Sequence, residues 1–482
     1  MASLLTGFFS VEKLLPAAQA KGPVPNTRQT YKNVIDIALP SVMEMVLMSL
    51  VGSVDTMMVS LLGDEAIAAV GLVGQPRMLL LSLFYALNIG VTAIVARRKG
   101  ENRPEEANRT MRNALTLVVI LSVLLVIPAL SFAGQLMQLA GAKEDTIADS
   151  TVYFKILAMF LPVNALTMCI CAAQRGVGNT RLTMKVNIAS NLVNVVFNYL
   201  LIGGNLGFPR LEVAGAAIAT VLGMIVGLAL SLFTIFDTRR NHGFLRIHLR
   251  DDWRPDWEAL RGIVKLGGNA MLEQAALRVG FFAYARIVAE LGTQAFAAHQ
   301  IAAQFQNLSF TFGDGIGVAG TSLVGQKLGK NRPDLAKLYG KASQRMALVV
   351  ALILATLIVV FRYPLVGLFT QSATTDPKVK FLAAQVMLMV AAFQPLQTSS
   401  VVISGALRGA GDTRYVAAVM MLCVALIRPL VSLLAIYVLN NVMRLSDLAL
   451  MGAWAASIID MGIRLFCVYR RFNGGKWYDI KV

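Results

Sequence analysis

The chain has 482 residues, is 56% hydrophobic and only 15% charged, and carries a formal net charge of +17. An ordinary soluble domain is about 25% charged, so this composition, with a mean hydropathy of +0.64, excludes a water-soluble globular protein. The basic charge lies in loops between apolar runs, which excludes nucleic acid as a partner and leaves the lipid bilayer.

In chain order, residues 1–32 read as a cytoplasmic N-terminal segment. Pro, Lys and Gln interrupt its apolar run, so it is not read as a signal peptide, and residues 3–15 are expected to form a surface helix. Six spans follow near 34–61, 66–96, 113–132, 151–173, 186–204 and 213–236, making a first half over 33–236. The polar stretch 237–261 reads as a cytoplasmic linker. A second half over 262–470 holds spans near 262–290, 295–325, 346–369, 381–405, 415–440 and 448–469, and 471–482 is a cytoplasmic tail. Runs such as 115–132 and 214–236 are long enough to span, or nearly span, a hydrocarbon core of ~30 Å. Lys and Arg crowd the N-terminal segment, the even-numbered loops, the linker and the tail; the opposite loops hold only Lys143, Arg210, Arg362, Lys378, Lys380 and Arg444. This positive-inside bias puts both termini in the cytoplasm of a multi-pass protein of the plasma (inner) membrane. Cys169, Cys171, Cys423 and Cys467 fall in or beside spans and are expected as inert buried thiols.

The two halves repeat one another. LGDEAIAAVGLVGQ (62–75) matches LGTQAFAAHQIAAQ (291–304), and GENRPEEA (100–107) matches GKNRPDLA (329–336), both at an offset of 229. QRGVGNTR (174–181) matches LRGAGDTR (407–414) at an offset of 233, which sets Pro162 on Pro395 and Asn164 on Gln397. Glu44 falls on Glu273. Six spans per half is even, so the halves share one orientation and are related by an axis along the membrane normal, with a cavity between them. In the RGxGxTR loops, Gly is expected to make a tight turn, Asn179 or Asp412 to cap the next helix, and Arg to meet lipid phosphate; gating is the alternative role.

These blocks resemble the multidrug and toxic compound extrusion (MATE) family. The residues that carry the resemblance are Leu39, Pro40, Glu44, Val54, Asp55 and Thr56 in span 1, Leu272–Gln274 in span 7, AAHQIA (297–302), and the paired GxNRP and RGxGxTR loops, over about residues 32–470. The resemblance implies an all-α membrane protein whose twelve transmembrane helices form two pseudo-symmetric six-helix bundles, N- and C-lobes in a V. It also implies export of organic, often cationic, compounds against inward H⁺ or Na⁺.

A charge at mid-span costs roughly 2.5–3.5 kcal/mol on insertion scales, so each is a functional candidate. Asp55 lies past the middle of span 1. Desolvation disfavours the charged form of a carboxylate, which suits such a group to take up and release a proton; Asp55 also resembles the family's best-known cation-coupling residue. Pro40 removes a backbone donor and is expected as a hinge. Glu44 stands 11 residues before Asp55, on the same helix face and roughly 16 Å away, with cavity-lining and structural roles both open. Asn187, Asn191, Asn194 and Asn198 share one face of span 5, which must turn inward because lipid satisfies no carboxamide. Asn194, Asn198 and Thr220 of span 6 are expected to build a cation-coupling site with Asp55, and Na⁺ there would sit on Asp55, Asn194 and Asn198. Similar proteins often carry Asp where Asn198 stands, and the sodium-coupled branch carries acids at the positions of Leu277 and Gln397, so H⁺ is the favoured ion. Glu273, Gln397, Asp314 and Glu44 are candidates for substrate contact or a second proton site. Glu273 is expected either to pair with Arg428 or to face the cavity, and Asp460 with Arg464 to form a structural i, i+4 pair.

No catalytic constellation and no phosphate loop stands out, so neither an enzyme nor ATP-driven transport is expected, nor any cofactor besides the coupling ion. The reading is a monomeric secondary antiporter exporting small organic compounds in exchange for H⁺, or Na⁺. A flippase or exporter of a lipid-linked or other amphipathic metabolite is the alternative. A receptor or channel would need a signalling domain or filter-like segment, and GENRPEEANR is not the characteristic loop of a major-facilitator protein.

Overall fold

A computed structural model describes residues 7–236, 243–248, 250–370, 377–443 and 448–480. Most of these residues are helical, with no strand among them, as expected where lipid can satisfy no backbone N–H or C=O. After a short α1 (Val11–Leu14) come α2 (Thr27–Ser60), α3 (Asp64–Gly100), α4 (Pro104–Ser131), α5 (Ala133–Leu139), α6 (Ile147–Met159), α7 (Leu161–Gly176), α8 (Thr180–Gly203) and α9 (Glu212–Phe236). The second half supplies α10 (Trp257–Ala289), α11 (Thr293–Gly329), α12 (Pro333–Phe369), α13 (Pro377–Gly409), α14 (Thr413–Asn440) and α15 (Ala449–Asn473).

Among the described residues nine of these helices are long and apolar enough to cross a bilayer, ten with α6 and α7 taken as one broken span. The remaining two expected spans, α10 and α11, have the length, 33 and 37 residues, but their apolar runs are diluted by charged and carboxamide side chains. Two expected spans are irregular. Span 4 breaks by 50° between α6 and α7, where Pro162 opens the second segment; its repeat mate Pro395 sits inside an unbroken α13. Span 11 widens into a π turn at Met421–Ile427, just ahead of Arg428–Pro429, where a proline ring in an α-helix would clash with the carbonyl one turn earlier.

The chain divides into two compact units, Met43–Gly268 and the combination of Met1–Val42 with Asn269–Val482. The expected halves thus differ from the observed units at their edges, and the reason is local bonding. The linker stays with the first half: Asp256 N–H donates to Asn113 Oδ1 (2.8 Å), Arg246 N–H to Asn108 Oδ1 (2.8 Å), and Arg112 pairs with Asp251 at 2.7 Å. Residues 237–242, at the start of the linker, lie outside the described residues. The N-terminal segment joins the second half: Lys21 N–H donates to Asp334 (3.0 Å), Arg332 Nη2 to the Pro23 carbonyl (3.1 Å), and Asn33 to the Tyr339 hydroxyl (2.7 Å). Of the surface helix expected over 3–15, Val11–Leu14 is helical, with Glu12 and Lys13 exposed and Val11, Leu14 and Leu15 buried against Leu335, Leu338 and Tyr339; residues 1–6 lie outside the described residues.

Inside each unit the repeat is visible as chemistry. Thr92 Oγ1 donates to the Ala172 carbonyl at 3.0 Å, and Thr321 Oγ1 to the Gly405 carbonyl at 2.8 Å, at the repeat offsets of 229 and 233. These bonds bridge α3 to α7 and α11 to α13, and they need bare backbone nearby. A Cβ on Gly176 would lie 2.8 Å from the Thr92 carbonyl, and one on Gly409 would strike the Thr321 carbonyl. The GxNRP turns match too, with Asn102 (φ 57°) and Asn331 (φ 54°) both left-handed and Pro104 and Pro333 opening the next helix. Away from these contacts the surface is oily: only 17% of the most apolar stretch of α12 is buried, as a lipid-facing helix should be.

Gly409→Val forces α11 and α13 apart, and overpacking of this kind costs roughly 1–3 kcal/mol. We expect a lower unfolding temperature for the detergent-purified variant, and a smaller drop for Gly317→Val, where an added Cβ would meet nothing nearer than 3.8 Å.

Candidate functional site

Helix α8 carries its carboxamides on one face, and that face is shared between two carboxylates of α2. At the cytoplasmic end by the expected topology, Glu44 (3% exposed) accepts from Thr183 Oγ1 at 2.8 Å and Asn187 Nδ2 at 2.7 Å, and pairs with Arg175 at 3.2 Å. Eleven residues on, Asp55 Oδ1 accepts from Asn198 Nδ2 at 2.7 Å. With its amide set to satisfy both neighbours, Asn194 donates to Asp55 Oδ1 (2.8 Å) and Oδ2 (3.1 Å) and accepts from the Thr220 N–H and hydroxyl, each at 3.2 Å. The expected grouping of Asp55, Asn194, Asn198 and Thr220 is therefore assembled. Asn191 is half-buried.

Asp55, Asn198 and Thr220, with Tyr153 and Ala216, line a cavity of about 40 Å³, room for a water or a bare cation and too small for an organic molecule. Asn198 Oδ1 is buried without a partner. Among the described residues no group of three His, Cys, Asp or Glu side chains is arranged to hold a metal ion.

In the second half, Glu273 is fully buried and pairs with Arg408, whose Nε lies 3.2 Å from Oε2. This corrects the expected Glu273–Arg428 pair. Arg428 instead donates to Asp460 Oδ2 at 2.7 and 2.9 Å, and Arg464 donates to the same oxygen at 2.7 Å. The expected i, i+4 pair is thus a buried triad, with the Arg428 guanidinium over the Phe281 ring at 5.1 Å.

The RGxGxTR loops also differ from expectation. Gly178 (φ 87°) and Gly411 (φ 90°) make the tight turns, but Asn179 and Asp412 form no cap bond; Asp412 pairs with Arg471 at 2.7 Å. The first arginines, Arg175 and Arg408, turn inward onto the span-1 and span-7 glutamates, while Arg181 and Arg414 of the same loops are exposed. Sequence reasoning had the signal, since Glu44, Glu273 and both first arginines are repeat mates, but did not join them.

Helix α2 runs unbroken through Pro40, two residues before Val42, where it passes from one compact unit to the other. Gln397 is buried and its Nε2 reaches the Gln306 carbonyl only at 3.5 Å. Asp314 is exposed, with Arg408 and Glu273 as charged neighbours. It ends a polar stripe that sequence reasoning missed: Gln300, Gln304, Asn307, Thr311 and Asp314 repeat at i, i+4, i+7, i+11, i+14 on α11, exposed except for half-buried Thr311. Arg77 of α3 was missed too; it lines a recess with Phe154, the residue after Tyr153 of the Asp55 cavity.

The family model described as MatE matches residues 40–200 and 270–434. The chain is 27% identical over 448 residues to the "Uncharacterized transporter YisQ" of Bacillus subtilis, spanning 92% of this chain and 94% of that one. It is 27% identical over 469 residues to a "Probable multidrug resistance protein NorM" of Thermotoga maritima, with 95% and 94% covered. It is 28% identical over 385 residues to the "Multidrug resistance protein MdtK" of Pectobacterium atrosepticum, with 79% and 82% covered. Among solved structures, "Outward-facing conformation of a multidrug resistance MATE family transporter of the MOP superfamily" has a TM-score of 0.83 at 22% identity, over 93% of this chain and 97% of that one. "Crystal structure of MATE in the bent conformation" has the same score and identity, over 93% and 96%. At that identity the structural likeness shows the shared twelve-helix fold.

Removing one member of a buried ion pair strands the other and costs roughly 3–5 kcal/mol, whereas replacing both by apolar residues is often neutral. Arg408→Met should lower the unfolding temperature of the purified protein more than the double change Glu273→Leu with Arg408→Met. Equal losses would mean that the two residues act independently.

Proposed function

The chain belongs to the MatE family of membrane transporters, and on that premise we propose that it is a secondary active multidrug efflux antiporter, exchanging organic, often cationic, compounds for H⁺ through Asp55. The observation that carries this reading is the Asp55 carboxylate held by two amide donors, Asn194 and Asn198, beside a cavity that fits a coupling ion and not a drug.

The donor set supports H⁺ over Na⁺. A hard cation gathers several oxygens, whereas Asn194 and Asn198 turn N–H groups toward Asp55 and leave Asn198 Oδ1 as the unpartnered amide oxygen. A proton needs one titrating oxygen. Hydrogen bonds to a charged acceptor are roughly twice as strong as neutral ones, so proton uptake by Asp55 loosens the clasp between α2 and α8. Helix α2 is then free to bend at Pro40, and the protein alternates between inward and outward access. The spanning carboxylates Glu44, Glu273 and Asp460 are neutralised by Arg175, by Arg408, and by Arg428 with Arg464, and serve as struts, with Gln397 a packing neighbour of α11.

Substrate recognition falls to the polar face of α11. A row of carboxamides ending on a carboxylate is too costly to meet lipid, so it lines water, and Asp314 is the one charged group on it. That face suits organic cations bearing hydrogen-bonding groups. The names of the relatives NorM and MdtK, multidrug resistance proteins, agree with this substrate class.

Two measurements test the reading. Asp55→Asn should fold yet abolish efflux driven by a pH gradient in proteoliposomes, with a separately imposed Na⁺ gradient giving no rescue; undiminished efflux would refute the role of Asp55. Asp314→Asn should raise KM for a cationic substrate about fivefold, as expected for a water-facing charge contact of roughly 1 kcal/mol, and leave a neutral one nearly unchanged.

A further inference from the structure

Arg77 is a charged side chain in the middle of α3, half-buried, and among the described residues it forms no hydrogen bond and no salt bridge. It lines an apolar recess with Leu80, Leu81, Phe154 and Leu157. A guanidinium at that depth is costly and is normally paired. The recess backs onto the Asp55 cavity. Consecutive residues of α6 face the two sides, Tyr153 toward Asp55 and Phe154 toward Arg77, and successive turns of α9 do the same with Thr220 and Met224.

The groups at the Asp55 cavity are Asn194 and Asn198 from α8, Thr220 from α9 and Tyr153 from α6, with Arg77 of α3 in the adjoining recess. Of these only Arg77 carries a charge. Guanidinium does not lose its proton in proteins, so its charge is fixed through every step of a cycle in which that of Asp55 changes.

We propose that Arg77 is a tethered counter-charge to Asp55 that makes this site selective for protons over metal cations. The inference rests on the reading of Asp55 as the coupling residue. A cation entering the cavity must sit near a permanent positive charge in a poorly screened interior. A repulsion that weakens binding roughly tenfold still leaves a carboxylate able to titrate at working pH, because proton affinities are high. The same factor moves a weak, millimolar-grade Na⁺ site out of the useful range. When Asp55 is ionised the guanidinium offsets its charge, so the proton-free state needs no replacement cation.

The test uses the full-length protein in proteoliposomes, with efflux measured as a function of pH under a pH gradient and, separately, under a Na⁺ gradient. Removing the positive charge makes proton uptake by Asp55 easier, so Arg77→Gln should shift the pH of half-maximal efflux upward by about one unit and open a Na⁺-driven component. Arg77→Lys, which keeps the charge, should match the unaltered protein. Arg77→Met controls for packing and should behave as Arg77→Gln does. A pH profile for Arg77→Gln that superimposes on that of the unaltered protein, without Na⁺-driven efflux, overturns the proposal, as does an equal shift in Arg77→Lys. Asp55→Asn separates the two ideas. If it stays coupled to the pH gradient, the Asp55 reading fails; if it uncouples while Arg77→Gln leaves the profile in place, only the role of Arg77 fails.

Discussion

Inside hydrocarbon a polar group has only the protein to bond to, and an unpaired charge there costs several kcal/mol. That constraint organises the molecule. Glu44 with Arg175, Glu273 with Arg408, and Asp460 with Arg428 and Arg464 are each closed among helices of one compact unit. Thr92 and Thr321 spend their hydroxyls on the carbonyl of a neighbouring helix. Set against that background, charged side chains of the spans that form no ion pair among the described residues become conspicuous, Asp55, Arg77, Arg278 and Asp314 among them. The scaffold neutralises most of its charges, and the function proposed above falls to groups it leaves open.

The duplication shows which features are scaffold. Glu–Arg pairs, Thr–carbonyl bonds, bare glycines at helix crossings and left-handed asparagines recur in both halves. The open charges do not. At the repeat offset of 229, Asp55 falls on Tyr284 and Asp314 on Tyr85, so each half keeps one carboxylate where the other has a tyrosine. Arg77 falls on Gln306. The halves share a frame and have divided the chemistry, with a small ion-sized cavity at Asp55 in one and a polar helix face ending at Asp314 in the other.

Much of this was legible in the sequence because the signals are periodic. Apolar length gave the spans, the offset gave the repeat, and the i, i+4, i+7, i+11 spacing of four asparagines placed Asn194 and Asn198 on the face that meets Asp55. What escaped depends on the third dimension. Partner choice among buried charges is one case: Arg428 and Arg408 both suited Glu273 by composition, and only packing decides. The break at Pro162 but not at Pro395 is another, since the same residue is read differently by its neighbours. Arg77 was overlooked because it lies in an otherwise ordinary helix, and only proximity to Asp55 gives it meaning. The polar stripe of α11 was masked by intervening apolar residues, which the burial of alternate faces separates.

The compact units are not contiguous stretches of chain. Residues before Val42 belong with residues after Asn269, and bonds such as Lys21 to Asp334 and Asn33 to Tyr339 join positions 313 and 306 apart. A ribosome delivers the leading segment long before its partners exist. Throughout that interval the buried face of α1 and the first turns of α2 have nothing of their own to dock on, so insertion of the early helices must proceed with this end unsecured. Docking is complete only when α12 arrives, so residues 11–33 settle late although they are made about 300 residues ahead of their partners.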